Sequence, residues 1–377
     1  MPSAVLQTGP LALGDAPGDG AAGATPAVPL PAMTLPLPER RRRPHLVCPA
    51  GSLRALTVAV EAGADAVYLG LKDATNARNF AGLNFDEAQI REGIAFAHAR
   101  GVQVLMALNT FADARRPGPW FAAADRAAEL GADALIVADT AVFAHCRDHL
   151  PQLRLHLSVQ ASATSHAAIE FYRQRYGVQR AVLPRVVAVE QIARIIAGTQ
   201  VEIEVFGFGS LCVMVEGRCA LSSYATGSSP NNAGVCSPAS AVRWQEGPDG
   251  VSARLNGVLI DRYAPDEPRG YPTLCKGRFE VDGRRSHVLE EPTSLNTMAL
   301  LPQLIAMGVR AFKIEGRQRS AAYVGDVTRA WRAAIDAAAL AVEQGRAFEA
   351  RPQWEQTLAR HAEGAQTTLG AFERPWR

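Results

Sequence analysis

The stretch Glu61-Ala-Gly-Ala-Asp-Ala-Val-Tyr-Leu-Gly70 decides the fold, because it returns almost unchanged as Glu129-Leu-Gly-Ala-Asp-Ala-Leu-Ile-Val-Ala-Asp139. In both copies a helical pattern ends at the glycine that a helix C-terminus prefers, and a short apolar run follows. Outward from them, β-branched runs alternate with helix-period segments, the pattern of βα units on a parallel sheet. The runs are His45 to Pro49, Ala66 to Leu71, Gln103 to Asn109, Ala134 to Asp139, Arg154 to Gln160, Ala181 to Arg185, Glu202 to Phe208 and Val309 to Glu315. Helical patterns fall between most of them, and a last one runs from Ser320 to Gln344. Eight such strands predict an α/β fold, a (β/α)8 TIM-like barrel. An open doubly wound sheet with a cysteine-rich appendage is the alternative.

Residues 1–44, rich in Pro, Gly and Ala and ending in the run Arg40 to Arg43, read as a disordered N-terminal extension. The first seven strands occupy residues 45–209, an insertion 210–308, the last strand and helix 309–346, and a C-terminal tail 347–377. Roughly 100 residues between strands seven and eight are too many for an ordinary connection. Because the insertion follows a strand, the barrel would carry it on its C-terminal face, where active sites form.

Hydrophobic content of 48%, charged content of 20% and a net charge of +2 leave no global basic field, so a nucleic-acid partner is not favoured. No run reaches the ~20 apolar residues of a membrane span, so no transmembrane segment is expected. The N-terminal charges follow the apolar residues instead of preceding them, unlike a signal peptide, and a reducing, cytoplasmic setting is expected.

Four of the six cysteines, Cys212, Cys219, Cys236 and Cys275, lie within 64 residues of the insertion, with gaps of 6, 16 and 38 residues. Structural zinc favours tight Cys-x2-4-Cys knuckles, whereas spread thiols suit a larger iron–sulfur cubane. Zinc, and unligated or disulfide-bonded cysteines, remain the alternatives. Cys48 and Cys146 stand apart and read as packing thiols.

Strand ends converge on the barrel mouth, and here they are polar: Asn109, Asp139, Gln160, Arg185, Lys313 and Glu315, with Arg317 just beyond. Fixed cations and amides in a pocket suit a small anionic organic molecule. Alternation puts Lys313 and Glu315 on one face, as an acid/base pair or as a structural ion pair. The loop Lys72 to Gly82 brings Arg78 and Asn79 to the same rim, either over a carboxylate ligand or as an ordinary hydrophilic loop. No GxGxxG, Walker, HExxH or GxSxG pattern occurs.

The segment Glu204 to Ser222 resembles the signature of the peptidase U32 family at every fixed position: Glu204, Phe206, Gly209, Ser210, Leu211, Cys212, Gly217, Cys219, Leu221 and Ser222. The stretches LVCPAGSLRALTVAVEAGADAVYLG, NARNFAGLNF, AVLPR and FKIEGRQRSAAYV extend the likeness over about 46–334. Three further stretches, LKDATNARNFAGLNF, VMVEGRCALSSYATGSSPNNAGVCSPA and YPTLCKGRF, are most similar to the branch of the family that serves ubiquinone biosynthesis. That resemblance implies oxygen-independent, anaerobic hydroxylation of ubiquinone precursors in a heterodimer with a sister protein of the same family. It implies a [4Fe-4S] cluster on Cys212, Cys219, Cys236 and Cys275, and a small anionic hydroxyl donor, prephenate being the candidate. With it, Glu315, Lys313 and Arg317 stand as catalytic candidates, and Arg78, Asn79, Asn109, Gln160 and Arg185 as substrate-binding ones. Other family members hydroxylate nucleobases of tRNA or rRNA, commonly with C-terminal sequence beyond what this chain shows after Arg377, and U32-type proteolysis is a further alternative. The sequence arranges no nucleophile and base for proteolysis.

Overall fold

The computed structural model describes residues 43–79, 82–212, 214, 218–233 and 235–373. All but the last two residues of the expected N-terminal extension lie outside them. Seven strands run β1 (His45–Pro49), β2 (Ala66–Leu69), β3 (Gln103–Leu108), β4 (Ala134–Val137), β5 (Arg154–Leu157), β6 (Arg180–Val182) and β7 (Glu202–Ser210). Between them lie α1 (Leu53–Glu61), α2 (Glu87–His98), α3 (Gly118–Glu129), α4 (Thr140–His149), α5 (His166–Tyr176) and α6 (Val189–Ala197). Each strand pairs in parallel with the next. Later in the chain, β14 (Ala311–Ile314) pairs in parallel with both β7 and β1 and closes the ring. The fold is the eight-stranded TIM-like barrel that the repeated unit predicts.

The repeat has a physical meaning. Gly63 and Gly131 adopt φ of +97° and +87°, which side chains resist, and so turn each helix back to the sheet. The following aspartate then fastens the turn to the preceding strand: Asp65 accepts from the Leu46 amide at 2.7 Å and Asp133 from the Val104 amide at 2.6 Å. Helix starts are fixed by side-chain caps at Ser52, Asp86, Asp139 and Ser165.

Two strands end three residues sooner than the sequence pattern predicts, the largest such differences. β5 stops at Leu157, where the Ser158 hydroxyl caps a short 3-10 turn, Val159–Ala161, that carries Gln160. β6 stops at Val182, and Pro184, with no amide to donate, keeps Arg185 in the loop.

The insertion after β7 holds α7 (Ala220–Thr226), α8 (Pro230–Ala233) and a three-stranded antiparallel sheet of β8 (Val242–Gly247), β9 (Gly250–Leu255) and β10 (Val258–Tyr263). A hairpin of β11 (Arg278–Val281) and β12 (Arg284–His287) follows, then β13 (Ser294–Asn296), antiparallel to the end of β7. Its own core is small: Ala225, Val242, Leu255 and Ile260. Asp261, buried, is gripped by Arg278 and Arg285 at 2.8 and 2.6 Å, which ties the sheet to the hairpin.

After α9 (Leu301–Met307) and β14, the long α10 (Ala321–Glu343) packs Trp331 and Ile335 against the barrel. Residues beyond 347 contain α11 (Pro352–His361) and β15 (Thr367–Thr368), which adds to β13 in parallel. Among the described residues, no helix is long and apolar enough to cross a membrane.

Candidate functional site

The barrel interior is divided. On one side Val47, Ala66, Tyr68, Leu105, Ala134 and Ile136 form an apolar cluster from β1 to β4, joined by Ala311 of β14. On the other, β5, β6, β7 and β14 contribute the buried His156, Arg180, Glu204 and Lys313. Lys313 donates to Glu204 at 2.8 Å and stands 4.0 Å from the centre of the Tyr68 ring. Arg180 bridges Glu202 at 2.7 Å and Glu204 at 3.6 Å. Burial lowers the Lys313 pKa, with Glu204 opposing. Burial also holds His156 well below its ordinary value, and Arg180 and Arg154 add to it.

Above this layer lies the mouth. Arg317, 6% exposed, donates to the Asn76 side-chain oxygen at 2.6 Å and stacks 5.5 Å over Tyr68, whose hydroxyl donates to the Ile314 carbonyl. Burial lowers its pKa to about 10. Asn76 is itself locked by bonds to Leu71 and Asn84. Asn109 accepts from the Ala77 amide at 3.1 Å, just before the half-buried Arg78 and Asn79. The Gln160 carbonyl accepts from Arg218, and Arg185 lies 3.6 Å over the Phe206 ring.

Glu315 does not pair with Lys313, although both project from the end of β14. Its carboxylate accepts from the Ser210 amide at 3.4 Å. Burial opposes its ionisation, but Arg78, Arg185 and Arg319 outweigh that and hold its pKa below the ordinary value. Gly209 faces it at φ +136°, where an added Cβ would come within 2.5 Å of the Glu315 Cβ. The cavity lined by Tyr68, Asn109, Ser158, Lys313 and Arg317 measures about 30 Å³, the volume of one water.

The thiols of the insertion are linked electrostatically. Burial pushes the Cys275 thiol up to about 11, Thr273 opposing and Cys236 and Cys212 adding to it. Burial raises Cys236 as well, with Arg78 opposing and Cys219 adding. Cys219 caps α7 and accepts from the Ser222 amide at 3.3 Å, and the Cys212 thiol donates to the Met214 carbonyl at 3.5 Å. Among the described residues, no three His, Cys, Asp or Glu converge as ligands of one ion must. Four thiols are a donor set that both iron–sulfur clusters and structural zinc use. All six cysteines are free thiols.

Cys48 and Cys146 play no part. Cys48 is fully buried and accepts from Thr328, and burial pushes both thiols up to about 12, which leaves them unreactive.

Neither Glu204, the partner of Lys313, nor Asn76, the partner of Arg317, is among the catalytic or binding candidates read from the sequence. Both had a signal: Glu204 opens the signature segment, and Asn76 stands two residues before Arg78. Glu363 had none. It comes from beyond α11 to bond Lys276, Arg319 and Ser210, and so fastens the C-terminal segment to both the insertion and the mouth.

Residues 51–374 match the family model described as Peptidase family U32. The chain belongs to that family. It is 31% identical over 320 residues to the tRNA hydroxylation protein P of Escherichia coli, which spans 79% of this chain and 69% of the relative. To the tRNA hydroxylation protein P1 of Bacillus subtilis it is 29% identical, covering 88% of this chain and 71% of the relative. A 23S rRNA 5-hydroxycytidine synthase of Escherichia coli is 30% identical over 88% of this chain but only 47% of its own length.

Proposed function

We propose that this chain is the iron–sulfur subunit of an oxygen-independent ring hydroxylase, with a [4Fe-4S] cluster held by Cys212, Cys219, Cys236 and Cys275. The observation that supports the reading is the set of four free thiols that the insertion carries, in a chain whose relatives are named for hydroxylation. When bound, such a cluster supplies one-electron chemistry. The chain's own residues supply the rest: Arg78, Arg185 and Arg319 hold Glu315 ionised beside Ser210, and Arg317 is fixed by Asn76 as a rigid donor. Glu315, Lys313 and Arg317 are the candidates for handling protons and the small anionic hydroxyl donor, and Arg78, Asn79, Asn109, Gln160 and Arg185 for orienting it. The cavity that Asn109, Lys313 and Arg317 line, about 30 Å³, is smaller than any organic donor.

The ring we assign is that of a ubiquinone precursor, with a sister U32 protein as partner. Besides the likeness of the cysteine-bearing stretches to the ubiquinone-biosynthesis branch, the charge balance supports it. A formal net charge of +2 over the whole chain supplies no global basic field for a phosphate backbone. A second reading, hydroxylation of a tRNA or rRNA nucleobase, is the one that the names of the relatives favour. Peptidase chemistry gains nothing from Cys48 and Cys146, which are neutral and buried.

Deleting the gene separates the two rings. Loss of anaerobic ubiquinone with unchanged hydroxylated nucleosides in RNA supports the assignment. Intact ubiquinone with missing hydroxylated nucleosides transfers it to RNA.

A further inference from the structure

The cavity lined by Tyr68, Asn109, Lys313 and Arg317 measures about 30 Å³, whereas a cavity of about 150 Å³ holds benzene. A groove of about 480 Å³ lies elsewhere, on the insertion, lined by Trp244, Glu246, Val251, Arg269, Gly270 and Tyr271. Its construction is specific. In the β8–β9–β10 sheet, Glu246 pairs with Val251 and Val251 with Tyr263, so Trp244, Glu246, Val251 and Tyr263 share one face. Val251 is buried at the floor, while Trp244 is 43% and Tyr271 53% exposed. Tyr263 backs Trp244 with ring centres 6.2 Å apart, which limits how far the indole swings.

Two exposed aromatic rings on one groove are costly to leave in water and suit a flat apolar partner. The charges at the groove fit a phenol. Glu246 enters no ion pair among the described residues, and Arg269 bonds only the Pro265 carbonyl, at 3.0 Å. A carboxylate accepts a phenolic O–H, and a guanidinium donates to a phenolic or carbonyl oxygen. The groove also borders the thiols, since the Tyr271 hydroxyl donates at 2.9 Å to the carbonyl of Ser237, the residue after Cys236.

We propose that the groove between Trp244 and Tyr271 is the binding site for a planar phenolic ring, held against the indole and oriented by Arg269 and Glu246. The inference rests on the ring-hydroxylase reading and gives its substrate a place on the insertion, outside the barrel mouth.

The test is isothermal titration of the full chain, purified anaerobically with its metal, with a short-chain prenylated phenol. Trp244→Ala and Tyr271→Ala each weaken binding about tenfold or more, while Trp244→Phe keeps most of it and iron content stays at the wild-type level. Arg269→Gln, a surface change that leaves the fold intact, weakens binding a fewfold and serves if either alanine variant fails to fold. Wild-type binding that all these variants retain overturns the groove and leaves the hydroxylase reading standing. A wild-type chain that binds no phenol at all overturns both the groove and the choice of ring.

Discussion

The barrel and the insertion solve their chemistry in opposite ways. Inside the barrel the buried charges are largely paired, Lys313 with Glu204, Arg180 with Glu202 and Arg317 with Asn76, while both ring nitrogens of the buried His156 lack a hydrogen-bond partner. The insertion differs in its apolar surface. Seven of the nine large hydrophobic side chains exposed among the described residues, Tyr224, Trp244, Val258, Tyr271, Val281, Val288 and Leu289, belong to it. Clustered apolar side chains left in water mark a surface that something else covers.

The largest effect expected from this contrast is on the insertion side. Cys236→Ser or Cys275→Ser abolishes hydroxylation and most bound iron, whereas Cys48→Ala and Cys146→Ala leave both near wild type, as iron analysis and an activity assay on the same preparations will show. Wild-type iron in Cys236→Ser would erase the distinction.

On the barrel side, Glu204→Gln leaves Lys313 and Arg180 buried beside a neutral amide. Removing one partner of a buried pair costs about 3–5 kcal/mol, read as a lower urea midpoint. Adding Lys313→Met to the same chain recovers part of the loss, because the stranded charge goes with it. A double variant less stable than the single one would mean that the pair is not a closed unit.

Chelating the metal sharpens the comparison further. Proteolysis after chelation cuts first within residues 210–308, while the main thermal transition of the barrel moves little. Simultaneous loss of both regions would show that the cluster holds the whole chain together.

The smallest effect is that of pH. His156 has a depressed pKa in the folded chain, so the unfolded chain takes up the proton first, and stability present above the ordinary value of 6.5 declines as pH falls below it. Glu315 is also depressed: its contribution is present above the ordinary 4.5 and disappears as pH falls through its lower folded value. His156→Gln flattens the decline between roughly pH 6.5 and 5 and leaves the steeper loss at lower pH, which denaturant titrations at several pH values will resolve.

The same contrast explains what the sequence revealed. The barrel was legible because its rule is local and repeated: a glycine turn, an aspartate staple, an apolar strand, seen twice in Gly63–Asp65 and Gly131–Asp133. The four thiols were legible because cysteines are rare and these are clustered. The partners were not, because pairing across the barrel depends on which side chains meet in three dimensions: Lys313 finds Glu204 109 residues away, and Arg317 finds Asn76 across 241. Strand alternation placed Lys313 and Glu315 on one face but said nothing of the arginines that claim Glu315. Nor does any local pattern announce that Glu363, beyond α11, reaches Lys276 and Arg319.

The most direct test is iron and acid-labile sulfide analysis, with electron paramagnetic resonance, on the chain purified without oxygen. About four of each per chain, with a cluster signal that disappears when Cys212, Cys219, Cys236 or Cys275 is replaced, is the predicted result. One zinc per chain, or no metal in a folded and active protein, would contradict the account.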